Sequence, residues 1–390
     1  MKHGWDIVIV YYGADGTWET LQKKGFYRRN TYLLREFSRH PDVKKLIVVS
    51  HTDRITSLCS WSWWKLLLGL SQSDKVLDLH VFAVIPGGQY LNAINRLNRS
   101  LTAWITRRML RASTNPKLIH WCYWPGGLEL HETLNISGCL VFDTDHDILN
   151  DDNKSAGEAS DLEPWLQLAA QKADIVASSS RSMLDWFSTR GARRCERLRN
   201  GVDAAAFSQK VHRVTRGARL RVGYLGVLSR WVDFGLLLEL ARARPDWEFV
   251  IGGYLYLTQL SKDFETLNNV KFIGPYTPNE EISILASFDI ALSLYTPGGS
   301  DVDSMKIFEY LAAGIPVVAT PLHEGMKEDF EGLLKICNTS NEFIDAIESI
   351  INWDQAALDD WDARRQAFVR DNTWSTRANQ AIKWLSDVTA

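Results

Sequence analysis

The sequence is poor in the features that would mark it as disulfide-stapled, metal-stapled or membrane-spanning. Its 390 residues include five cysteines, Cys59, Cys122, Cys139, Cys195 and Cys337, odd in number, scattered and never in a CxxC pair. That argues against a disulfide framework or a zinc knuckle and fits reduced thiols. No apolar run approaches the ~20 residues needed to cross a bilayer. The N-terminal MKHGWDIVIVYYG enters a strand directly, with no apolar region of a signal peptide. The expected location is therefore cytoplasmic. Charge of neither sign dominates: the net is −3, which argues against nucleic acid as a partner.

What is present is ordinary globular composition, 45% hydrophobic and 23% charged, at a length suited to about two domains. From Arg219 on, short apolar runs alternate with amphipathic stretches. Strands are expected at Arg219–Leu225, Trp247–Ile251, Val270–Ile273, Asp289–Leu294 and Ile315–Ala319. Helices are expected at Phe234–Arg244, Glu280–Ser287 and Met305–Ala313. Such alternation calls for a parallel sheet with helices on both faces. The first half repeats it less regularly, with strands at Asp6–Tyr11, Leu46–Ser50, Val76–Ile85, Lys117–Trp121, Cys139–Phe142 and Asp174–Ala177. The polar, basic Ser208–Gly217 reads as a linker, and Ala356–Asp387 as two helices. The expected class is α/β: two Rossmann-like domains facing each other across a cleft. Residues 1–200 would form an acceptor-binding domain and 201–370 a nucleotide-sugar domain. Residues 371–390 would form a helix crossing back to the N-terminal domain.

The segment DVDSMKIFEYLAAGIP, Asp301–Pro316, carries the most chemistry. Asp303 or Ser304 can cap a helix, Gly314 suits its left-handed end, and Pro316 prevents continuation. A helix N-terminus at the mouth of a parallel sheet offers N–H groups and partial positive charge to an anion. Lys306 adds a full charge in that first turn. Glu309, three residues on, shares its face and can accept both hydroxyls of a ribose diol. The alternative is that Glu309 only complements the helix and pairs with Lys306.

In order and spacing, RNGVD (199–203), VGYLG (222–226), NVKFIGPY (269–276) and SMKIFEYLAAGIPVVA (304–319) resemble family 4-like GT-B glycosyltransferases. The similarity is to bacterial envelope-polysaccharide enzymes above all, and it covers residues 174–325. The resemblance implies that Glu309 holds the donor ribose, that backbone around Phe272–Tyr276 meets the base, and that the turn at Gly226 approaches the diphosphate. Ser304, Met305 and Lys306 would complete the anion site. Two departures stand out. Of the acidic pair separated by seven residues, the first position is Asp301, shorter than the usual Glu. The cations expected after Gly226 are replaced by Val227 and, near the second, Asp233, which leaves Arg230 and Lys306 to meet a diphosphate.

On the N-terminal side, His120 in an I-H-x4-P spacing resembles a histidine placed by the donor sugar in that family. A histidine hydrogen-bonded at a strand end is the alternative. Asp143, Asp145 and His146 in VFDTDHDIL follow a strand and could serve as general base or orient sugar hydroxyls. Asp143-Thr144-Asp145 could instead be a DxD metal motif, or a solvated turn. With helix dipole and Lys306 already facing the phosphates, no metal is expected. Gly13 and Gly16 suit a loop closing on the donor phosphates.

No acidic residue lies between Asp78 and Glu129, whereas Arg96, Arg99, Arg107, Arg108, Arg111 and Lys117 do. Apolar residues interleave with them at helical spacing. With WSWWKLLLGL, residues 61–70, the stretch 89–112 reads as a peripheral contact with an anionic leaflet, or else as a helix packed on its own sheet. The expected activity is transfer from a UDP-sugar, less favourably a GDP-sugar, to a glycan or lipid-linked glycan acceptor, with retention favoured over inversion. A sugar-nucleotide 2-epimerase and a degenerate binding module share the fold and are the alternatives.

Overall fold

The computed structural model describes residues 7–14, 18, 21–22, 28–52, 75–82, 100, 104, 107, 117–123, 128, 131–132, 138–145, 149, 156–207, 219–256, 262–296 and 301–388. It divides into two compact units. The first comprises Met1–Asp145, Ser160–Arg199 and Arg377–Ala390, the second His146–Ala159 and Asn200–Thr376.

In the first unit the strands are β1 Ile7–Ala14, β2 Val43–Thr52, β3 Val76–Phe82, β4 Lys117–Cys122, β5 Cys139–Thr144, β6 Ile175–Ser178 and β7 Cys195–Arg197. Helices α1 Arg29–Arg39, α2 Ala156–Lys172 and α3 Arg181–Ser188 connect them. The sheet runs β3-β2-β1-β4-β5-β6-β7, and every pairing is parallel. Ile7–Tyr11 and Leu118–Cys122 are buried on both faces, as strands covered by helices on each side must be. Their apolar runs, interrupted only by His120, are the sequence signal for that burial.

The second unit holds β8 Arg221–Leu225, α4 Phe234–Ala243, β9 Glu248–Gly252, β10 Val270–Gly274, α5 Pro278–Leu285, β11 Ile290–Ser293, α6 Met305–Ala312, β12 Val317–Ala319, β13 Leu334–Ile336, α7 Ser340–Ile351, α8 Gln355–Asp371 and the start of α9 Trp374–Val388. Its sheet, β10-β9-β8-β11-β12-β13, is also parallel throughout. In both sheets the strand order reverses beside the first strand, at β1/β4 and β8/β11. That reversal leaves a crevice at the strands' carboxyl ends, where doubly wound folds take ligands.

Most elements match the sequence expectations, and the differences have local causes. α5 begins at Pro278 because Thr277 and Glu280 form a reciprocal capping box. β12 begins at Val317, since Pro316 has no N–H to give a ladder. β7 and β13, each three residues, are too short for a periodicity to show. Of the strand expected at 76–85, residues 83–85 lie outside the described residues, as does the linker 208–217. The two tail helices are present, and from Arg377 the last of them is counted with the first unit.

Candidate functional site

Helix α6 is fixed along its whole length, and this gives Lys306 and Glu309 defined positions. Ahead of it, Asp303 is buried and its carboxylate accepts from Asn200 N at 2.7 Å, while the Asn200 side-chain amide donates to the Asp303 carbonyl. Ser304 is the N-cap residue; its hydroxyl lies 3.2 Å from the Tyr295 hydroxyl instead of bonding the helix. Midway, Tyr310 accepts from Leu225 N at 2.9 Å and donates to Leu225 O at 3.0 Å, tying the helix to the end of β8. At the far end, Arg365 of α8 donates to Leu311 O at 2.8 Å, a carbonyl that also accepts from Gly314 N at 3.0 Å. Phe308 packs against Phe330 and Phe368 with ring centroids 5.6 and 5.7 Å away.

Gly226 and Gly253 close the turns after β8 and β9. Gly226 has φ +149, and a Cβ there would stand 1.9 Å from Lys306 Cε. Gly253 has φ +143, and a Cβ there would stand 1.7 Å from Gly226 O. Only glycine lets these two turns and the lysine stem occupy the same corner. The half-buried Lys306 ammonium donates to the Tyr295 hydroxyl at 3.1 Å and lies over the rings of Tyr295 and Tyr224, 5.3 and 5.6 Å from their centroids.

Electrostatically the corner is a lysine among tyrosines and carboxyls. Burial works against the Lys306 charge, but the oxygens of Tyr224, Tyr295 and Tyr276 outweigh it, so the ammonium keeps its proton above the ordinary lysine range. Burial also pushes the Tyr224 hydroxyl up to about 12, with Lys306 opposing. Glu309 is raised well above the carboxylate range by burial and then by Glu281, against the pull of Lys306. Glu281 itself, on α5, is raised to about 7 by burial, again with Lys306 opposing. A helix N-terminus, two glycine turns and a lysine can together receive an anion, and the Glu309 carboxyl lies one turn on along the same helix.

Of the other residues expected here, Met305 and Asp301 are half-buried beside the cap, and Arg230 is exposed on the turn after β8. Tyr276 is half-buried after β10, its hydroxyl raised by burial and then by Glu281 and Glu309. Asp233, where the family pattern led us to look for a lysine, caps α4 by accepting from Leu236 N at 2.9 Å. Glu281 was missed. A glutamate in the first turn of a helix reads as ordinary complement to the dipole, which is what its neighbour Glu280 does.

In the first unit the acidic cluster is divided. Asp143 is fully buried; one carboxylate oxygen takes Arg29 at 2.8 Å and the other Trp121 Nε1 at 3.3 Å. Arg29 also donates to Arg199 O at 3.2 Å, and despite the cost of burial Asp143 keeps its guanidinium charged. Asp143 is thus an internal ion pair, neither open to an acceptor nor available as one half of a metal-binding DxD. Among the described residues no group of three or more His, Cys, Asp or Glu side chains is placed to hold a metal ion. Asp145 is half-buried and accepts from the Tyr123 hydroxyl. His120 is buried inside β4, its ring edge-to-face with His131 at 4.4 Å. Gly13 sits where the β1–β2 register shifts, between Tyr12 and Ala14. His146, Gly16 and residues 61–70 lie outside the described residues. Of 89–112 only Ser100, Trp104 and Arg107 are described; Trp104 is exposed.

The family model described as "Glycosyl transferase-like" matches residues 235–383. A Bacillus subtilis protein, TuaH, whose name is that of a teichuronic acid biosynthesis glycosyltransferase, is 27% identical over 228 residues, 55% of this chain. The match spans 57% of that relative's length. Anabaena Alr3699/HepE, solved with UDP and glucose, superposes with a TM-score of 0.67 at 18% identity, over 98% of this chain and 100% of that one. A UDP-forming alpha,alpha-trehalose-phosphate synthase of Burkholderia vietnamiensis gives 0.64 at 13% identity, over 99% and 100%. The chain has the GT-B fold and resembles glycosyltransferases of bacterial envelope-polysaccharide synthesis.

Proposed function

We propose that the chain is a glycosyltransferase that moves a sugar, a hexosyl unit, from a UDP-linked donor to a glycan or lipid-linked glycan of the bacterial envelope. The observation that carries this reading is the Lys306 ammonium seated against the Gly226 turn, with Glu309 one turn further along the same helix. The first-turn N–H groups of α6 and Lys306 would hold the diphosphate, with Arg230 as a second, solvent-side cation. Glu309 would hold the ribose diol, the backbone at Phe272–Tyr276 the base, and Asp301 a hydroxyl of the transferred sugar. The name of TuaH and the UDP and glucose bound to HepE support the donor class and the envelope setting.

In the transfer, the anomeric carbon–oxygen bond to the diphosphate breaks and an acceptor oxygen takes its place. Negative charge gathers on the departing diphosphate, where a fixed ammonium and helix N-terminus stabilise it more than in the ground state. We read the transfer as retaining, following the sequence resemblance. The first unit would take the acceptor, with Asp145 orienting a hydroxyl. No helix among the described residues is long and apolar enough to cross a membrane. The basic amphipathic stretch 89–112 and the tryptophans of 61–70 support peripheral contact with an anionic leaflet.

The test is calorimetry with UDP, GDP, CDP and ADP, with and without EDTA, on wild type and Glu309→Ala. UDP binding that survives EDTA and weakens at least tenfold in the variant is the expected result. Binding of no nucleotide would sink the donor assignment, and binding only with divalent metal would sink the metal-free site.

A further inference from the structure

Ser304 is the residue type of a good helix cap and does not act as one. Elsewhere in the second unit Asp233, Thr277, Thr339 and Asp354 each accept a first-turn N–H of the helix they begin, at 2.9, 3.4, 3.3 and 2.8 Å. The Ser304 side chain makes no such bond to α6. Its hydroxyl lies 3.2 Å from that of Tyr295, which also accepts from the Lys306 ammonium at 3.1 Å. Tyr295 can hold both because it is itself fixed. It follows β11, its N–H donates to Thr320 Oγ1 at 2.8 Å, and the next amide, Thr296 N, donates to Trp231 O at 2.9 Å. Thr320, buried after β12, is tied in turn to Ser293 O through its own N–H at 3.0 Å. The half-buried Tyr295 ring packs against the apolar cluster that contains Ile307 and Phe308 of α6.

A phenol and a serine hydroxyl each carry one proton and two lone pairs. Lys306 occupies one lone pair of Tyr295. Whichever hydroxyl donates, the bond between Tyr295 and Ser304 uses one of their two protons and not the other. With the serine oxygen turned to Tyr295, the first-turn N–H groups that a serine cap ordinarily receives are left to a ligand. First-turn N–H groups, an ammonium and a hydroxyl proton are all donors, and a multiply charged oxyanion is the ligand that satisfies them together. Accordingly we propose that Tyr295 is a positioning residue of the diphosphate site: it holds the Ser304 hydroxyl off α6 and the Lys306 ammonium in place, and so keeps the helix N-terminus open to the anion. The inference rests on the donor-site reading. Phenylalanine at this position would keep the ring beside the ammonium and lose both hydrogen bonds. Ser304 would then turn onto its own helix and compete with phosphate for the same N–H groups.

The test has two arms on the full chain. In the first, the lysine ammonium groups and backbone amides of the ligand-free protein are observed by 1H–15N NMR in wild type, Tyr295→Phe and Lys306→Met. Wild type should show a slowly exchanging ammonium signal that Lys306→Met removes, and Tyr295→Phe should lose it to exchange with water. In Tyr295→Phe the first-turn amide protons of α6 should also move downfield as Ser304 bonds to them. No Lys306 signal in wild type, a signal that persists in Tyr295→Phe, or first-turn amides that stay in place overturns the proposal. In the second arm, UDP and uridine are bound by calorimetry to wild type, Tyr295→Phe, Lys306→Met and the double variant. Tyr295→Phe should weaken UDP about tenfold and leave uridine, which has no phosphate, within about twofold. In the double variant the loss should be smaller than the product of the single losses, because Tyr295 acts through Lys306. Equal weakening of UDP and uridine, unchanged UDP affinity in Tyr295→Phe, or single losses that multiply in the double variant each overturn the proposal. If UDP binds to none of the proteins, the donor reading falls, and the hold of Tyr295 on Lys306 and Ser304 is decided by the first arm.

Discussion

Lys306 and Gly226 occupy the same corner of the second unit: the space where a Gly226 side chain would begin is filled by the lysine's Cε. Gly226→Ala therefore acts on function through Lys306. The methyl group would meet the lysine stem, whose far end can swing aside, and the backbone at φ +149 would be strained by about 1–3 kcal/mol. The expected outcome is a folded protein, modestly destabilised, that binds UDP at least about tenfold more weakly, or about 1.4 kcal/mol. Calorimetry beside a denaturation curve checks it, and unaltered affinity would remove Lys306 from the diphosphate site.

Lys306 and Glu309 should fail differently when changed. An ammonium that meets charge developing on the leaving group acts in the transition state. Lys306→Met, which keeps the stem, should lower kcat by about 10²–10³-fold, with a smaller change in KM. A carboxyl that holds the ribose acts on bound donor throughout, so Glu309→Gln should raise KM by about tenfold and leave kcat within a few-fold. Steady-state kinetics with the UDP-sugar donor separate the two, and a common kcat loss would show that the ribose contact tightens only during transfer.

Most of the second unit could be read from its residues, because each βα step there repeats the same alternation and Lys306 and Glu309 lie three apart on one helix. What stayed hidden depends on distance along the chain. Asn200 and Asp303 pair across 103 residues, Arg29 and Asp143 across 114. Arg29 follows β1 and Asp143 lies on β5, and the order β1-β4-β5 that brings these segments together is an arrangement no local pattern encodes. For the same reason the carboxylates after β5 looked alike in the sequence. Asp143, still in the strand, points into an arginine from α1, whereas Asp145, one residue past it, is half-buried beside Tyr123. His120 read as a site residue through its I-H-x4-P spacing, a pattern that says nothing of the packing of its ring against His131.

The Arg29–Asp143 pair gives a stability prediction for the first unit. Both side chains are essentially without solvent, so removing one leaves a buried charge without its partner. Arg29→Met is expected to cost about 3–5 kcal/mol, whereas Arg29→Met with Asp143→Leu should recover most of it. Urea denaturation followed by far-UV circular dichroism reads the order of the three proteins. Equal midpoints for the single and double variants would mean that the ion pair is hydrated in solution.

The carboxyl pair in the nucleotide corner carries a pH dependence of stability whose sign can be worked out. Glu281 titrates near 4.3 in an unfolded chain and at about 7 in the folded one. Between those values the folded state holds the extra proton, so the contribution of Glu281 to stability declines as pH rises through the window. Below about pH 4.3 both states are protonated and the contribution is level; above about pH 7 the loss is complete. Glu281→Gln cannot ionise and escapes that loss. Its stability relative to wild type should therefore be greater at pH 8 than at pH 5, with the change falling between those limits. Thermal or urea denaturation of both proteins across this range reads the effect, and the lower Glu309 midpoint that follows from removing Glu281 adds to it in the same direction. A difference constant with pH would mean that Glu281 stays ionised in the folded chain, whose Lys306 would then face two full carboxylates before any donor arrives.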